Sequence, residues 1–240
     1  MRIVKHIPNT ITSMNLVCGV IGVVFAFKGR IDIAFPLMLA AAVFDFCDGF
    51  CARMLDAYSD MGKELDSLCD MVSFGVLPSV MLYNLMKACS FSETVWCWTP
   101  LVIAVFSALR LAKFNVDERQ HTSFIGLPTP ACAIFCGALC YYIANDPASD
   151  IACLCGTPVF IPVLSLVLSA LLVCEIPMFS LKISRTDDKR TRSKRITFGV
   201  SALICVAFVA ITASNWSLAG VLVMGVYILL NVFFYIFARQ

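Results

Sequence analysis

Histidine is almost missing from this 240-residue chain: His6 and His121 are the only two. Both sit near the ends of apolar segments, so the chemistry is expected to run without an essential histidine. Charge is also scarce, at 14% of residues, while hydrophobic residues make up 60%. That balance points to an integral membrane protein rather than a water-soluble one. The 13 cysteines include no Cys-x-x-Cys pair, which argues against a zinc site. Most lie inside apolar stretches, as Cys132, Cys136 and Cys140 do at helical spacing, where free cysteine packs as a small hydrophobe. There is no linker-like stretch, so residues 1–240 are expected to form a single domain. A net charge of only +2 gives no reason to expect a nucleic-acid partner.

What the chain has in quantity is long uncharged sequence. Ile11–Phe27, Met71–Met86, Thr94–Leu109, Thr122–Asn145 and Ile151–Cys174 carry no ionisable Asp, Glu, Lys or Arg. Their lengths approach or reach the roughly 20 residues of a membrane span. No charge occurs from Ile196 to Ala238 either. As one helix that stretch would run about 65 Å, twice a bilayer core. It is therefore expected to turn back at Ala213-Ser214-Asn215-Trp216-Ser217. With the helix that begins near Ile31, the pattern predicts an all-α, polytopic membrane bundle of about eight helices. The first span begins too far in, and with too little punctuation, to be expected to act as a cleavable signal peptide. Eight alternating helices with a cytoplasmic N-terminus place all 18 Lys and Arg on the cytoplasmic side except Lys28, Arg30 and Lys87. Both termini are then expected in the cytoplasm, in a multi-pass cell-membrane protein. The basic run Lys182 to Arg195 either keeps a loop inside or touches anionic lipid head groups.

Four aspartates break the apolar pattern: Asp45, Asp48, Asp66 and Asp70. An ionised carboxylate near the middle of a membrane helix costs roughly 2.5–3.5 kcal/mol, so four cost on the order of 10 kcal/mol. A multivalent cation is the simplest compensation. Asp45, Asp48 and Ala52 recur at three and four residues and share a helix face; Gly62, Asp66 and Asp70 recur at four and share another. A short link between these helices predicts antiparallel neighbours whose carboxylates converge near the cytoplasmic surface. Gly49 and Ala52 remove bulk where a ligand approaches, and Arg53 sets a cation beside the cluster. An all-oxygen ligand set suits Mg²⁺, Mn²⁺ or Ca²⁺. Spacing alone leaves three readings open: catalysis, a cation that only holds helices together, and an ion pathway.

The run Asp45-x2-Asp48-Gly49-x2-Ala52-Arg53-x8-Gly62-x3-Asp66-x3-Asp70 resembles the complete signature of the CDP-alcohol phosphotransferase family. The resemblance implies two divalent cations, Mg²⁺ or Mn²⁺, held by Asp45, Asp48, Asp66 and Asp70, with Asp70 as general base. It also implies a CDP moiety against Asp48, Gly49, Ala52, Arg53, Gly62 and Asp66, with Asn9 and Thr12 helping to hold the nucleotide. Further stretches resemble membrane-integral phosphatidylserine synthases. These are Ile7-Pro8-Asn9 to Asn15-Leu16, Asp70 to Pro78, Arg110-Leu111-Ala112-Lys113-Phe114-Asn115, Phe124 to Pro130, and Ile176 to Lys182. That subgroup implies transfer of a phosphatidyl group from CDP-diacylglycerol to L-serine, giving phosphatidylserine and CMP, in a homodimer within membrane lipid. Ser73, Arg110, Lys113, Asn115 and Thr129 are then candidates for the acceptor or its phosphate. Lys113 stands where the subgroup pattern has arginine; charge survives but the bidentate fork does not. The core signature by itself is equally compatible with another alcohol, glycerol 3-phosphate or inositol.

Overall fold

The computed structural model describes residues 6–88, 95–117, 124–178, 189–212 and 214–237. His121 and residues 182–188 of the basic run lie outside the described residues, as do Phe179 to Lys182 of the last motif; the rest of the run, from Lys189, opens α9. The chain is an all-helical bundle: α1 (Ile7–Phe27), α2 (Ile31–Met54), α3 (Asp60–Asp70), α4 (Leu77–Ala88), α5 (Val102–Val116), α6 (Thr129–Asn145), α7 (Asp150–Cys155), α8 (Phe160–Val173), α9 (Lys189–Ile211) and α10 (Ser217–Phe237). A π-helical turn, Met71–Val76, joins α3 to α4, and a 3₁₀ segment, Val95–Leu101, leads into α5. The only pairing of extended backbone among the described residues is a two-residue antiparallel bridge, Phe124–Ile125 with Pro177–Met178.

Among the described residues, six helical segments are long and apolar enough to cross a membrane: Ile7–Phe27, Ile31–Met54, Asp60–Ala88, Val95–Val116, Arg192–Ile211 and Ser217–Ile236. The fold is therefore a polytopic bundle, as the apolar runs predict. The break between α9 and α10 falls at the expected turn. Two of the eight expected spans come out short, Thr129–Asn145 and Phe160–Val173. Turn chemistry trims both. Gly126 takes φ +79 and is crowded by the carbonyls of Leu171, Leu172 and Cys174, so extended chain persists up to Pro128 and the helix opens only at Thr129. Ser149 caps α7 by accepting from the Ala152 amide, and α7 stops at Cys155, splitting the second run before α8.

α1 organises the half of the bundle that carries the aspartates. It packs along α2 and also against α3, the π turn and α4. Its buried residues are Pro8, Thr12, Asn15, Gly19, Gly22 and Ala26, a stripe at spacings of three and four. The stripe is small or polar, while Met14, Val17, Val20, Ile21 and Val24 are exposed on the outer faces. This is the packing expected in lipid, where small residues let helices approach and large apolar ones face the tails. At Gly19 the approach is extreme: an added Cβ would lie 3.0 Å from Ser73 Cα and closer still to its hydroxyl. Gly19→Val is expected to force α1 off the π turn and destabilise the fold by about 1–3 kcal/mol. A lowered unfolding midpoint in detergent micelles is the readout; an unchanged midpoint removes the proposed contact.

Candidate functional site: a carboxylate cluster beside a cavity

α2 ends where the site begins. Leu55 N–H donates to Cys51, Ala57 N–H donates to Ala52, and Asp56 takes a left-handed φ of 47. Aspartate tolerates that conformation better than most residues. The chain turns sharply, and Ser59 caps α3 by accepting from the Gly62 amide at 3.0 Å. α3 then runs past α1 with Asp66 and Asp70 one turn apart. Asp48 comes from the last turns of α2 and Asp70 from the last residue of α3; both are buried.

Oxygens of Asp45, Asp48 and Asp66 lie within 4.8 Å of one another. Like charges at that separation repel by about 3 kcal/mol per ionised pair at a surface-like effective dielectric. No Lys or Arg ion pair among the described residues reaches these carboxylates. The ion pairs Arg30–Asp32 and Lys113–Glu175 lie elsewhere. Asp48 Oδ2 and Asp66 Oδ1 are buried and without a hydrogen-bond partner. Buried, unpartnered carboxylate oxygens facing one another fit a hard divalent cation. Asp70 lies outside this trio. Its Oδ1 accepts a 3.3 Å hydrogen bond from Asn15 Nδ2.

Next to the trio is a cavity of about 210 Å³, lined by Pro8, Asn9, Thr12, Asp48, Gly49, Ala52, Ala57, Tyr58, Ser59, Gly62, Lys63 and Asp66. Seven of the eight residues expected to touch a CDP moiety are on this wall: Asn9, Thr12, Asp48, Gly49, Ala52, Gly62 and Asp66. The eighth, Arg53, is exposed and does not line it. A Cβ on Gly49 would meet nothing within 4 Å, so the missing side chain leaves open space beside the cavity. Gly62 is absent of bulk for a different reason. A Cβ there would press on Ser59 Oγ at 3.0 Å and Asn9 Oδ1 at 3.1 Å, wedging the α3 cap against α1.

The remaining candidates fall into separate groups. Arg110 is buried on α5, donates from Nη1 to Thr129 Oγ1 at 2.7 Å, and is within electrostatic reach of Asp70. Ser73 is fully buried and donates to the Asn15 carbonyl at 3.2 Å. Lys113 turns to Glu175 at 3.5 Å. Asn115 is tied to α3, donating to Ser67 Oγ at 2.9 Å while its carbonyl accepts from Lys63 Nζ at 3.0 Å. Sequence reasoning missed Tyr58, Ser59, Lys63 and Asn15. Ser59 was findable as a capping residue three before Gly62. Asn15 stands in the first-helix motif, but nothing local gave it a role, because its partner Asp70 is 55 residues away.

Comparison with known proteins accords with this geometry. Residues 5–174 match the family model of the CDP-alcohol phosphatidyltransferases. A CDP-diacylglycerol–serine O-phosphatidyltransferase of Bacillus subtilis is 35% identical over 153 residues, 64% of this chain and 82% of that protein. The protein of the same name from Methanocaldococcus jannaschii is 33% identical over 150 residues, 61% of this chain and 68% of the relative. A third, from Mycobacterium bovis, is 38% identical over 136 residues, 53% of this chain but only 46% of the relative's length. The matched span contains α1 to α8 and every aspartate of the cluster. The chain therefore belongs to the CDP-alcohol phosphatidyltransferase family, whose members generally use divalent metals.

Proposed function

We propose that this protein transfers the phosphatidyl group of CDP-diacylglycerol to the hydroxyl of L-serine, releasing phosphatidylserine and CMP. The observation that carries the reading is the pairing of two unpartnered, buried carboxylate oxygens, on Asp48 and Asp66, with a cavity whose wall bears Asn9, Thr12, Gly49 and Gly62. The names of the similar proteins support serine as acceptor.

In this reading the cytidine nucleotide enters between α1, the end of α2 and the start of α3. Asn9 and Thr12 offer hydrogen bonds to it, and Gly49 leaves room for its sugar and phosphates. The acyl chains stay in the bilayer, which is why the acidic residues sit near helix ends. Asp45, Asp48 and Asp66, with Asp70 at the margin, would hold divalent cations, two by analogy with the family and either Mg²⁺ or Mn²⁺. When bound, such cations neutralise the carboxylates and stabilise negative charge on a pyrophosphate. Asp70 accepts the proton of the serine hydroxyl. The serine oxygen forms a bond to the lipid-side phosphorus, the phosphorus–oxygen bond to CMP breaks, and CMP departs with that electron pair. Arg110 holds the acceptor carboxylate and is itself set by Thr129. Arg53, exposed at the end of α2, is assigned to screening of phosphate at the cavity mouth. Ser73, Lys113 and Asn115 act at one remove, holding the helices that carry the site.

The Lys and Arg distribution puts the aspartate end of α2 on the cytoplasmic side of the cell membrane and the Lys28–Arg30 turn on the other. The working unit is a homodimer of single-domain chains, in line with the family. Purified protein with CDP-diacylglycerol and Mn²⁺ or Mg²⁺ is expected to release CMP only when L-serine is present. Glycerol 3-phosphate or inositol in its place is expected to give little. Release driven by either of those, and not by serine, sinks the reading.

A further inference from the structure

Six buried side-chain polar atoms among the described residues lack a hydrogen-bond partner: Asn15 Oδ1, Asp48 Oδ2, Asp66 Oδ1, Ser107 Oγ, Arg110 Nε and Ser169 Oγ. Two of them belong to the cation cluster. Another two are on Asn15, which is hydrogen-bonded to Asp70 at 3.3 Å, and on Arg110 of the neighbouring α5. Asn15 is fully buried, and its Nδ2 already donates to Asp70 Oδ1. The amide oxygen on the same carbon has nothing. Arg110 is 7% exposed and spends Nη1 on Thr129; its Nε has nothing, and its charge is within electrostatic range of Asp70. α1 and α5, which carry them, pack on the same π turn.

Leaving such groups buried and unpaired is unfavourable. Their needs are also opposite: the amide oxygen lacks a donor, and the guanidinium N–H lacks an acceptor. An α-amino acid brings both on one carbon, an ammonium and a carboxylate. We propose that Asn15 selects the acceptor, its Oδ1 receiving the ammonium of a hydroxy amino acid whose carboxylate lies on Arg110 and whose hydroxyl lies at Asp70. The inference rests on the serine reading above and adds a residue and a rule to it: the acceptor must be a zwitterion. Glycerol 3-phosphate and inositol bring no ammonium and leave Oδ1 unpaired. Asn15 is held in place for this work, because its backbone carbonyl accepts from Ser73 and its amide nitrogen is fixed by Asp70. A neutral amide also suits the position, since a carboxylate there would stand against Asp70.

The test uses the whole chain in detergent micelles with CDP-diacylglycerol, divalent cation and three acceptors. These are L-serine, 3-hydroxypropionate (which lacks the ammonium) and ethanolamine (which lacks the carboxylate). For the unaltered protein each omission is expected to lower kcat/KM by about 10²-fold or more. Asn15→Ala is expected to lower kcat/KM for L-serine by about 10- to 100-fold. It is also expected to collapse the preference for L-serine over 3-hydroxypropionate while keeping the preference over ethanolamine. KM for CDP-diacylglycerol stays within about twofold. A substitution that only loosened the fold would lower all acceptors alike. Asn15→Asp is near-isosteric and keeps an acceptor oxygen; it is expected to retain the preference for the ammonium-bearing acceptor while losing turnover to repulsion with Asp70. An unchanged serine-over-3-hydroxypropionate ratio in Asn15→Ala, or loss of that ratio in Asn15→Asp, overturns the proposal. Failure of the unaltered protein to use L-serine overturns the serine reading instead, and that arm separates the two.

Discussion

Asp70→Asn is expected to lower CMP release by about 10²- to 10⁴-fold, the usual contribution of a positioned general base, while leaving cation binding largely intact. Asparagine keeps the shape of the side chain, and its amide oxygen can still accept from Asn15 Nδ2. What it cannot do is take a proton from a hydroxyl. The trio of Asp45, Asp48 and Asp66 stays whole, because Asp70 is not one of the three carboxylates gathered within 4.8 Å. Two measurements on the same preparation decide the matter: serine-dependent turnover, and the shift in unfolding midpoint on adding Mn²⁺ or Mg²⁺. Normal turnover in the variant removes Asp70 from the role of base. Lost turnover together with a lost cation shift makes it chiefly a metal ligand.

The second large effect concerns the trio itself. Cation binding to the folded state alone stabilises it by about 2.7 kcal/mol at a concentration 100-fold above Kd. Mg²⁺ or Mn²⁺ is therefore expected to raise the unfolding midpoint of the unaltered protein by several degrees. Asp48→Asn combined with Asp66→Asn is expected to abolish that rise and all turnover. Without cation, the same double variant is expected to be more stable than the unaltered protein, since it no longer crowds like charges about 3 kcal/mol apart in pairwise repulsion. Opposite signs with and without metal are hard to produce by general loosening of the fold. A chelator-treated double variant that is less stable than the unaltered chain would show that the carboxylates are held by partners other than a cation.

Much of this site is legible in the amino-acid sequence. Asp45 and Asp48, and separately Asp66 and Asp70, fall three or four residues apart, and a helix puts such residues on one face whatever surrounds it. The interval from Asp48 to Asp66 is too short for anything but a tight return, so the faces could be expected to meet. The apolar runs marked the helices for the same reason: long uncharged sequence has few stable options in lipid apart from a helix. Boundaries were less legible. Thr129 and Phe160 open their helices later than hydropathy suggests, because Gly126, Pro128 and the Ser149 cap act through turn geometry that hydropathy does not register.

The residues that sequence placed less well are those whose partners are far along the chain. Lys113 and Asn115 lie only a few residues beyond Arg110, yet they turn to Glu175 and to α3. Arg53 adjoins Ala52, which lines the cavity, yet it points away, because neighbours on a helix lie on different faces. Asn15 became visible only with α1 laid against the π turn, a contact made possible by the absent side chain of Gly19.

Sequence by itself determined the all-helical membrane architecture, the two acidic helix faces and the family, because each follows from local periodicity, hydropathy or fixed spacing along the chain. Tertiary structure alone decided that Asp45, Asp48 and Asp66 gather most closely while Asp70 is hydrogen-bonded by Asn15, and that Arg110 is buried against Thr129 while Lys113 pairs with Glu175. Those outcomes depend on how closely α1, α3 and α5 approach one another, and that approach is set by small residues and buried hydrogen bonds between segments dozens of residues apart.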